Sequence, residues 1–136
     1  MKNLLTDINC DLKTISPLTL AYVGDCVFEL LVRERLVCLA NRPVNDLHRL
    51  CVQQVRADAQ AEAARRILPE LSEKEESIFK RGRNAHTGHT PKNQSEKDYH
   101  YATGLETLFG YWYLNGEMKR LNEIFSLIIS FQERKS

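Results

Sequence analysis

The sequence predicts an all-α protein. Apolar residues recur at intervals of three to four along several long segments, as they do on the buried face of a helix. Helix-start signatures stand in front of these segments. No segment of four to eight residues alternates polar and apolar residues as a half-buried strand does. A chain of 136 residues that is 43% hydrophobic can bury one core, so we predict a single domain over residues 1–136.

The first long helix is predicted over residues 17–37. Ser16 suits the N-cap position because its hydroxyl can accept a hydrogen bond from a free backbone N–H, and Pro17 suits the first helical position because it lacks that N–H. The Asn-Arg-Pro segment at 41–43 then breaks the chain. One long helix without interruption is predicted from about Val44 to Leu68.

A short helix and a loop are predicted next. Ser72 and Glu75 have the spacing of a capping box, in which each side chain accepts a hydrogen bond from the backbone N–H of the other residue. The helix that they begin is predicted to end near Arg83. Residues 84–94 have no apolar period and are rich in turn-forming residues, which predicts a loop.

Two helices are predicted in the last third of the chain. Ser95, with Asp98 three residues later, is typical of a helix start, and the apolar pattern behind it continues to about Trp112. The Asn-Gly pair at 115–116 predicts a turn. Apolar residues at helical spacing over 121–129 predict a final amphipathic helix.

The cysteines and the N-terminal residues favour a cytoplasmic protein. The four cysteines include no Cys-x-x-Cys pair, so reduced thiols are a simpler interpretation than disulfides or a zinc site. The first residues carry Asp7 and Asp11 and no continuous apolar block, so we expect no signal peptide. No apolar run approaches the roughly 20 residues that span a bilayer, so we expect no membrane association.

Positive charge is concentrated in one part of a nearly neutral chain. The net charge is +1, yet residues 77–95 hold four basic residues and no acid. Such a segment on an otherwise acidic body indicates a polyanionic partner held at one place. The alternative is a solvated loop without a partner.

Two predicted helices each carry an acid beside glycine in an apolar stretch. Asp25 follows Gly24 in AYVGDCVFELL, and Glu106 lies between Gly104 and Gly110 in TGLETLFGYWYL. Glycine costs a helix interior roughly 1 kcal/mol relative to alanine, and an apolar environment disfavours a carboxylate. Because glycine lets helix axes approach closely, two such helices can cross and bring Asp25 and Glu106 together.

A pair of carboxylates in a partly dry cleft needs a compensating cation. Mg²⁺ takes oxygen ligands and keeps several waters, which suits one or two carboxylates and a substrate phosphate. The alternative is structural: Asp25 can be paired with a nearby arginine or a buried hydroxyl, and Glu106 can lie at the edge of its helix.

Several stretches resemble the ribonuclease III family. LAYVGDCVFE at 20–29 resembles the signature helix of that family, and LETLFGYWYL at 105–114 resembles its second acidic motif. The stretches RPVNDLHRL, RGRNAHTG and PKN are similar to the Mini-ribonuclease III branch, which lacks a double-stranded-RNA-binding domain. The resemblance implies the ribonuclease III endonuclease-domain fold over the single domain.

The resemblance also implies an activity and a site. Asp25 stands at the position of the catalytic, metal-binding aspartate of the family, and Glu106 at that of its metal-binding glutamate. It implies a homodimer that uses Mg²⁺, with Mn²⁺ as a substitute, to hydrolyse double-stranded RNA to 5′-phosphate and 3′-hydroxyl ends. The Mini branch implies the 23S ribosomal RNA precursor as substrate. Ala21 and Thr103 replace family acids, so we expect one well-held ion and a second recruited by the substrate phosphate.

The basic segment is predicted to replace the missing RNA-binding domain. Recognition of A-form RNA relies mostly on phosphates and 2′-hydroxyls. The predicted RNA-binding residues are Lys80, Arg81, Arg83, Asn84, Lys92 and Asn93.

Two other functions remain open at this point. One is a catalytically inactive RNA-binding or ribosome-assembly module of the same fold, which the replacements Ala21 and Thr103 favour. The other is an all-α, metal-dependent phosphohydrolase of nucleotides.

Overall fold

The computed structural model describes residues 5–85 and 95–135. Within those ranges the chain forms helices and no strand, which confirms the all-α prediction. A 3-10 turn at Leu12–Thr14 precedes the first helix, and another at Leu68–Glu70 follows the third. The α-helices are α1 Pro17–Leu39, α2 Val44–Val55, α3 Ala57–Ile67, α4 Glu73–Asn84, α5 Glu96–Leu114 and α6 Met118–Lys135.

The predicted caps begin three of these helices. The Ser16 hydroxyl accepts from the backbone N–H of Thr19 at 3.3 Å at the start of α1. In the capping box of α4, Glu75 N–H donates to the Ser72 hydroxyl at 3.2 Å, and Ser72 N–H donates to the Glu75 carboxylate at 2.9 Å. The Ser95 hydroxyl caps α5 in the same way. These side chains stabilise helix starts whose first N–H groups have no partner within the helix.

The prediction of one helix from Val44 to Leu68 is wrong, because the chain leaves the helical conformation at Arg56. That residue has φ −59° and ψ 153°, an extended conformation. Asp58 supports the restart: its carboxylate accepts from the Arg56 side chain at 3.1 Å and from the N–H of Ala59 at 2.9 Å. The apolar period continues across the break, so a prediction from periodicity alone does not detect it.

The fifth helix is the centre of the fold. It packs against α1, α3, α4 and α6, and most of its length from Ala102 to Trp112 is buried. Phe109 lies edge-to-face with Phe28 of α1, with ring centroids 5.2 Å apart, and with Trp112 at 5.3 Å. The break at Arg56 lets α2 contact α1 while α3 packs on α5 and α6. Helices α1, α3 and α4 make the most extensive contacts with α5, whose middle carries Glu106.

None of the helices in the described ranges is both long enough and apolar enough to cross a membrane.

Candidate active site

Helices α1 and α5 touch through their backbones. A Cβ atom added to Gly24 would lie 1.7 Å from the backbone oxygen of Glu106, and one added to Gly110 would lie 1.9 Å from that of Leu20. No side chain fits at either place, so glycine is required by the close approach and not by an unusual φ. The crossing places Asp25, which directly follows Gly24, beside the turn of α5 that carries Glu106.

The Asp25 and Glu106 carboxyl groups lie next to each other at this crossing. The pKa of Glu106 is raised to about 8, first because the group is buried, then because the negative charge of Asp25 opposes its ionisation and the two carboxyl groups lie within hydrogen-bonding reach. Asp25 is exposed, whereas Glu106 is partly buried. The arrangement is an open-sided pair of acids with one solvent-facing member.

Helix α3 contributes a third residue, Gln60, that the motifs did not single out. Its side chain is 2% exposed, and it lowers the pKa of Glu106 against the effects of burial and of Asp25. Its Nε2 atom is buried and has no hydrogen-bond partner of normal length within the described ranges. A sequence signal existed: Gln60 precedes Ala64 and Ile67 at helical spacing, so an amide occupies a position where the core pattern predicts an apolar side chain.

The two positions where the chain departs from the family motifs supply no ligand. Ala21 is buried, and the Thr103 hydroxyl donates to the backbone oxygen of Tyr99 at 2.9 Å. Across residues 5–85 and 95–135, no group of three or more His, Cys, Asp or Glu side chains is arranged to hold a metal ion. The described site therefore offers two carboxylates.

This donor set fits one Mg²⁺ ion. Asp25 and Glu106 provide adjacent oxygen donors. Burial and the negative charge of Asp25 raise the pKa of Glu106, so a cation at this place would stabilise its ionised form. Mg²⁺ is bound by one or two carboxylates together with waters and substrate phosphates. Asp25 and Glu106 are the residues that would hold it.

The predicted RNA-binding residues of α4 do not converge on one depression. Lys80 is exposed, with its Nζ 3.7 Å from a Glu76 oxygen. Arg81 lines a depression beside the turn Leu12–Thr14, whereas Arg83 and Asn84 line another beside the start of α5. Lys92 and Asn93 lie outside the described residues.

An arginine that the sequence motifs did not single out shares an aromatic contact with Arg83. The guanidinium carbon of Arg65 is 5.0 Å from the centre of the Tyr101 ring, and that of Arg83 is 5.9 Å from it. Arg65 also forms an ion pair with Asp98 at 2.7 Å. Two arginines therefore lie near one aromatic ring, Tyr101, and that ring lines the second depression.

Comparison with known proteins identifies the family. A sequence profile of the Ribonuclease III domain matches residues 18–117, most of the chain. The chain belongs to the ribonuclease III family. The matched range contains both acids and the glycine crossing between them. A member of the ribonuclease III family is an endoribonuclease that acts on double-stranded RNA, so the chain is an enzyme of that class.

Relatives in the ribonuclease III family are similar in sequence over nearly the whole chain. The Mini-ribonuclease 3 of Thermoanaerobacter sp. (strain X514) is 47% identical over 120 residues, which cover 88% of this chain and 84% of that protein. The Mini-ribonuclease 3 of Clostridium tetani is 45% identical over 127 residues, which cover 93% of this chain and 84% of that protein. A crystal structure of a Fusobacterium nucleatum protein superposes with a TM-score of 0.80 at 27% identity, over 90% of this chain and 98% of that one. The predicted family fold is confirmed.

Proposed function

We propose that this chain is a Mg²⁺-dependent endoribonuclease that matures the ends of the 23S ribosomal RNA precursor, with Asp25 and Glu106 as its catalytic, ion-holding residues. The observation that carries the proposal is the convergence of these two carboxylates at the glycine crossing. The ribosomal substrate rests on the resemblance of the motifs to the Mini branch of the family. Mn²⁺ is the expected substitute, because it also accepts carboxylate and water ligands.

The two acids differ in exposure, and their proposed roles differ accordingly. Asp25 faces solvent and is accessible to an RNA phosphate, whereas Glu106 is held deeper by α5. Asp25 and Glu106 would hold Mg²⁺, which when bound would supply positive charge to the phosphate oxygens and lower the pKa of a water. The role of the chain is to hold both carboxyl groups in a fixed orientation. The backbone contact of Gly24 with Glu106 supplies that orientation.

Basic residues of α4 are proposed to hold the RNA duplex. Arg81 and Arg83 border two depressions on either side of the last turns of α4, which suits contact with phosphates on separate strands. Lys80 and Asn84 lie exposed on the same helix. Lys92 and Asn93 complete the proposed set. With so few cations per subunit, binding should be weak and sensitive to salt.

An exposed apolar stripe on α1 supports the proposed homodimer. Tyr22, Leu30 and Val37 are 79%, 56% and 57% exposed, and their spacing places them on one face of the helix. Contact between two such stripes removes this apolar surface from water. A two-fold axis then relates one site in each subunit, which suits cleavage of both strands of a duplex. The free cysteines support the proposed cytoplasmic location.

A cleavage assay tests the proposed activity. Duplex RNA and a 23S precursor transcript are incubated with the protein and Mg²⁺, with and without EDTA, beside an Asp25→Asn variant. We expect 5′-phosphate products only with wild-type protein and Mg²⁺. Cleavage that persists in EDTA overturns the metal requirement, and equal cleavage by the variant overturns the assignment of Asp25. Turnover of mononucleotides but not of duplex RNA would instead identify a nucleotide phosphohydrolase.

A second candidate function is an inactive RNA-binding or ribosome-assembly module. The site with only two carboxylates in the described ranges favours it, because Ala21 and Thr103 leave fewer anionic ligands. Its distinguishing result is duplex binding by both wild type and Asp25→Asn, with neither protein cleaving the RNA at any Mg²⁺ concentration.

A further inference from the structure

Gln60 is a polar residue in an otherwise apolar part of the core. The other buried residues of α3 are Ala61, Ala63, Ala64 and Ile67. A buried N–H without a hydrogen bond costs about 1–3 kcal/mol, whereas a leucine of similar size carries no such cost. Core packing alone therefore does not account for an amide at this position.

The side chain of Gln60 is directed at the pair of acids. Helix α3 packs on α5, and the Gln60 side chain lies within hydrogen-bonding reach of the Glu106 carboxyl group. Nε2 is the donor end of that amide. The same Nε2 atom is fully buried and makes no hydrogen bond of normal length within the part of the chain that the structure describes. A buried donor that faces a carboxylate and is not yet satisfied is suited to a state in which that carboxylate is an anion.

We propose that Gln60 is a positioning residue of the ion site: its Nε2 donates a hydrogen bond to the ionised Glu106 and holds that carboxylate towards Asp25. The inference rests on the proposed function, because it requires the two acids to hold an ion. A hydrogen bond to an ionised acceptor is about twice as strong as a neutral one. Gln60 therefore stabilises the ion-holding state of the site without touching the substrate.

The first test measures Mg²⁺ binding without RNA. Calorimetric titration compares wild type with Gln60→Leu, which keeps the side-chain volume and removes the donor. Partners that orient metal-binding carboxylates typically contribute 10–100-fold to affinity, so we expect the variant to bind Mg²⁺ at least ten times more weakly. In cleavage assays we expect the half-saturating Mg²⁺ concentration to rise by a similar factor. High Mg²⁺ should restore the rate, and the KM for RNA should stay within twofold.

A matched control separates positioning from the mere loss of an amide. Gln54 on α2 is half-buried and lines a separate cleft with Arg56 and Arg66. Gln54→Leu makes the same chemical change away from the acids, so its Mg²⁺ affinity should equal that of wild type. An equal loss of affinity in both variants would overturn the inference, and so would Mg²⁺ binding by Gln60→Leu within twofold of wild type.

A second variant keeps the inference testable if Gln60→Leu does not fold. Gln60→Glu keeps the shape and adds a third acid. If the side chain faces the site, the metal-free variant melts below wild type at pH 8, and saturating Mg²⁺ raises its Tm more than that of wild type. Equal melting and an equal Mg²⁺ response overturn the inference. If wild type and Asp25→Asn respond to Mg²⁺ equally, the proposed function itself fails, which is a different result.

Discussion

Arg120 donates two hydrogen bonds of 2.8 Å to Glu75, one to each carboxylate oxygen. The same carboxylate accepts from the Trp112 indole at 3.0 Å and from the N–H of Ser72 at 2.9 Å. Arg120 also donates to the backbone oxygen of Glu70 at 2.7 Å. The cluster ties the start of α4 to the end of α5 and the start of α6.

This cluster predicts a loss of stability in acid. Burial alone would raise the pKa of Glu75, but hydrogen bonds from Arg120, Ser72 and Trp112 together lower it to about 2. A lowered folded-state pKa contributes stability that is present above the ordinary pKa, about 4.5, and is lost as pH falls towards 2. Glu75→Gln should lower the free energy of unfolding by about 2–4 kcal/mol at pH 7 and by much less at pH 3.

Urea unfolding at the two pH values measures this difference. The matched control is Glu76→Gln on the same helix, whose carboxylate forms an exposed pair with Lys80. That change should cost no more than about 0.5 kcal/mol at either pH. A similar loss of unfolding free energy in both variants would show that the Glu75 cluster makes no specific contribution to stability.

Gly24→Ala should disrupt the helix crossing. The added Cβ would overlap the backbone of Glu106, which cannot rotate away as a side chain can, so α1 and α5 must separate. We expect a loss of at least about 3 kcal/mol in thermal unfolding, the upper range for overpacking, and at least a tenfold loss of RNA cleavage. Gly116→Ala is the comparison: at φ 72° it should cost about 1–2 kcal/mol, and the folded protein should cleave normally.

Mg²⁺ binding should strengthen as pH rises from 6 to 8. The pKa of Glu106 is about 8 in the metal-free protein, so an ion must displace a proton over this range. We expect at least about tenfold weaker binding at pH 6 than at pH 8. Calorimetry in two buffers with different ionisation enthalpies measures the protons released. Equal affinity with no proton release would show that Glu106 is not a ligand.

The same shift predicts the stability of the metal-free protein. A carboxyl group with a raised folded-state pKa contributes stability below its ordinary pKa, and that contribution is lost as pH rises through about 8. Glu106→Gln should therefore raise the melting temperature at pH 8.5, by an amount equivalent to about 1 kcal/mol or more, and do little at pH 4. A variant that melts below wild type at pH 8.5 would contradict the claim that the ionised pair destabilises the metal-free protein.

RNA affinity should depend on the cations of α4. Removing one phosphate contact reduces the slope of log K against log salt by about 0.9 for a duplex. We expect Arg81→Ala and Arg83→Ala each to weaken duplex binding and to reduce the slope by that amount, measured by fluorescence anisotropy at several salt concentrations. Lys119→Ala on α6, also exposed, is the control and should leave the slope unchanged.

The stripe on α1 predicts how the dimer can be broken. Tyr22→Glu and Leu30→Glu place charge on that face, and burying it costs several kcal/mol per pair of subunits. Analytical ultracentrifugation should show a shift from dimer to monomer. Leu39→Glu, at a residue that is 60% exposed and turned away from the stripe, should remain dimeric. Dissociation by Leu39→Glu alone would locate the contact elsewhere.

Local chemistry accounts for what could be predicted from the sequence. Ser16, Ser72 and Ser95 begin helices through hydrogen bonds with residues three positions away, so a short window contains the whole interaction. The pairing of Asp25 with Glu106 was inferable because glycine marks a close approach wherever it interrupts an apolar helix. Their roles as ligands remain predictions.

Long-range packing accounts for what could not be predicted. The break at Arg56 suits contacts of α3 with α5 and α6 that no short window contains. The role proposed for Gln60 depends on its position beside Glu106, a residue far away in the chain. Arg65 of α3 and Arg83 of α4 likewise both lie near the Tyr101 ring of α5, which no short stretch of sequence predicts.

The contact between Gly24 and Glu106 determines how this chain can vary. Since the spacing of the two acids is set by main-chain atoms, we expect the exchange of one aliphatic side chain for another around Phe28 or Phe109 to leave the separation of Asp25 and Glu106 unaltered. Core residues can therefore be substituted, for example to raise heat resistance, while the two acids keep their arrangement. The glycines at the crossing and the buried polar residues Gln60 and Glu75 do not share that freedom.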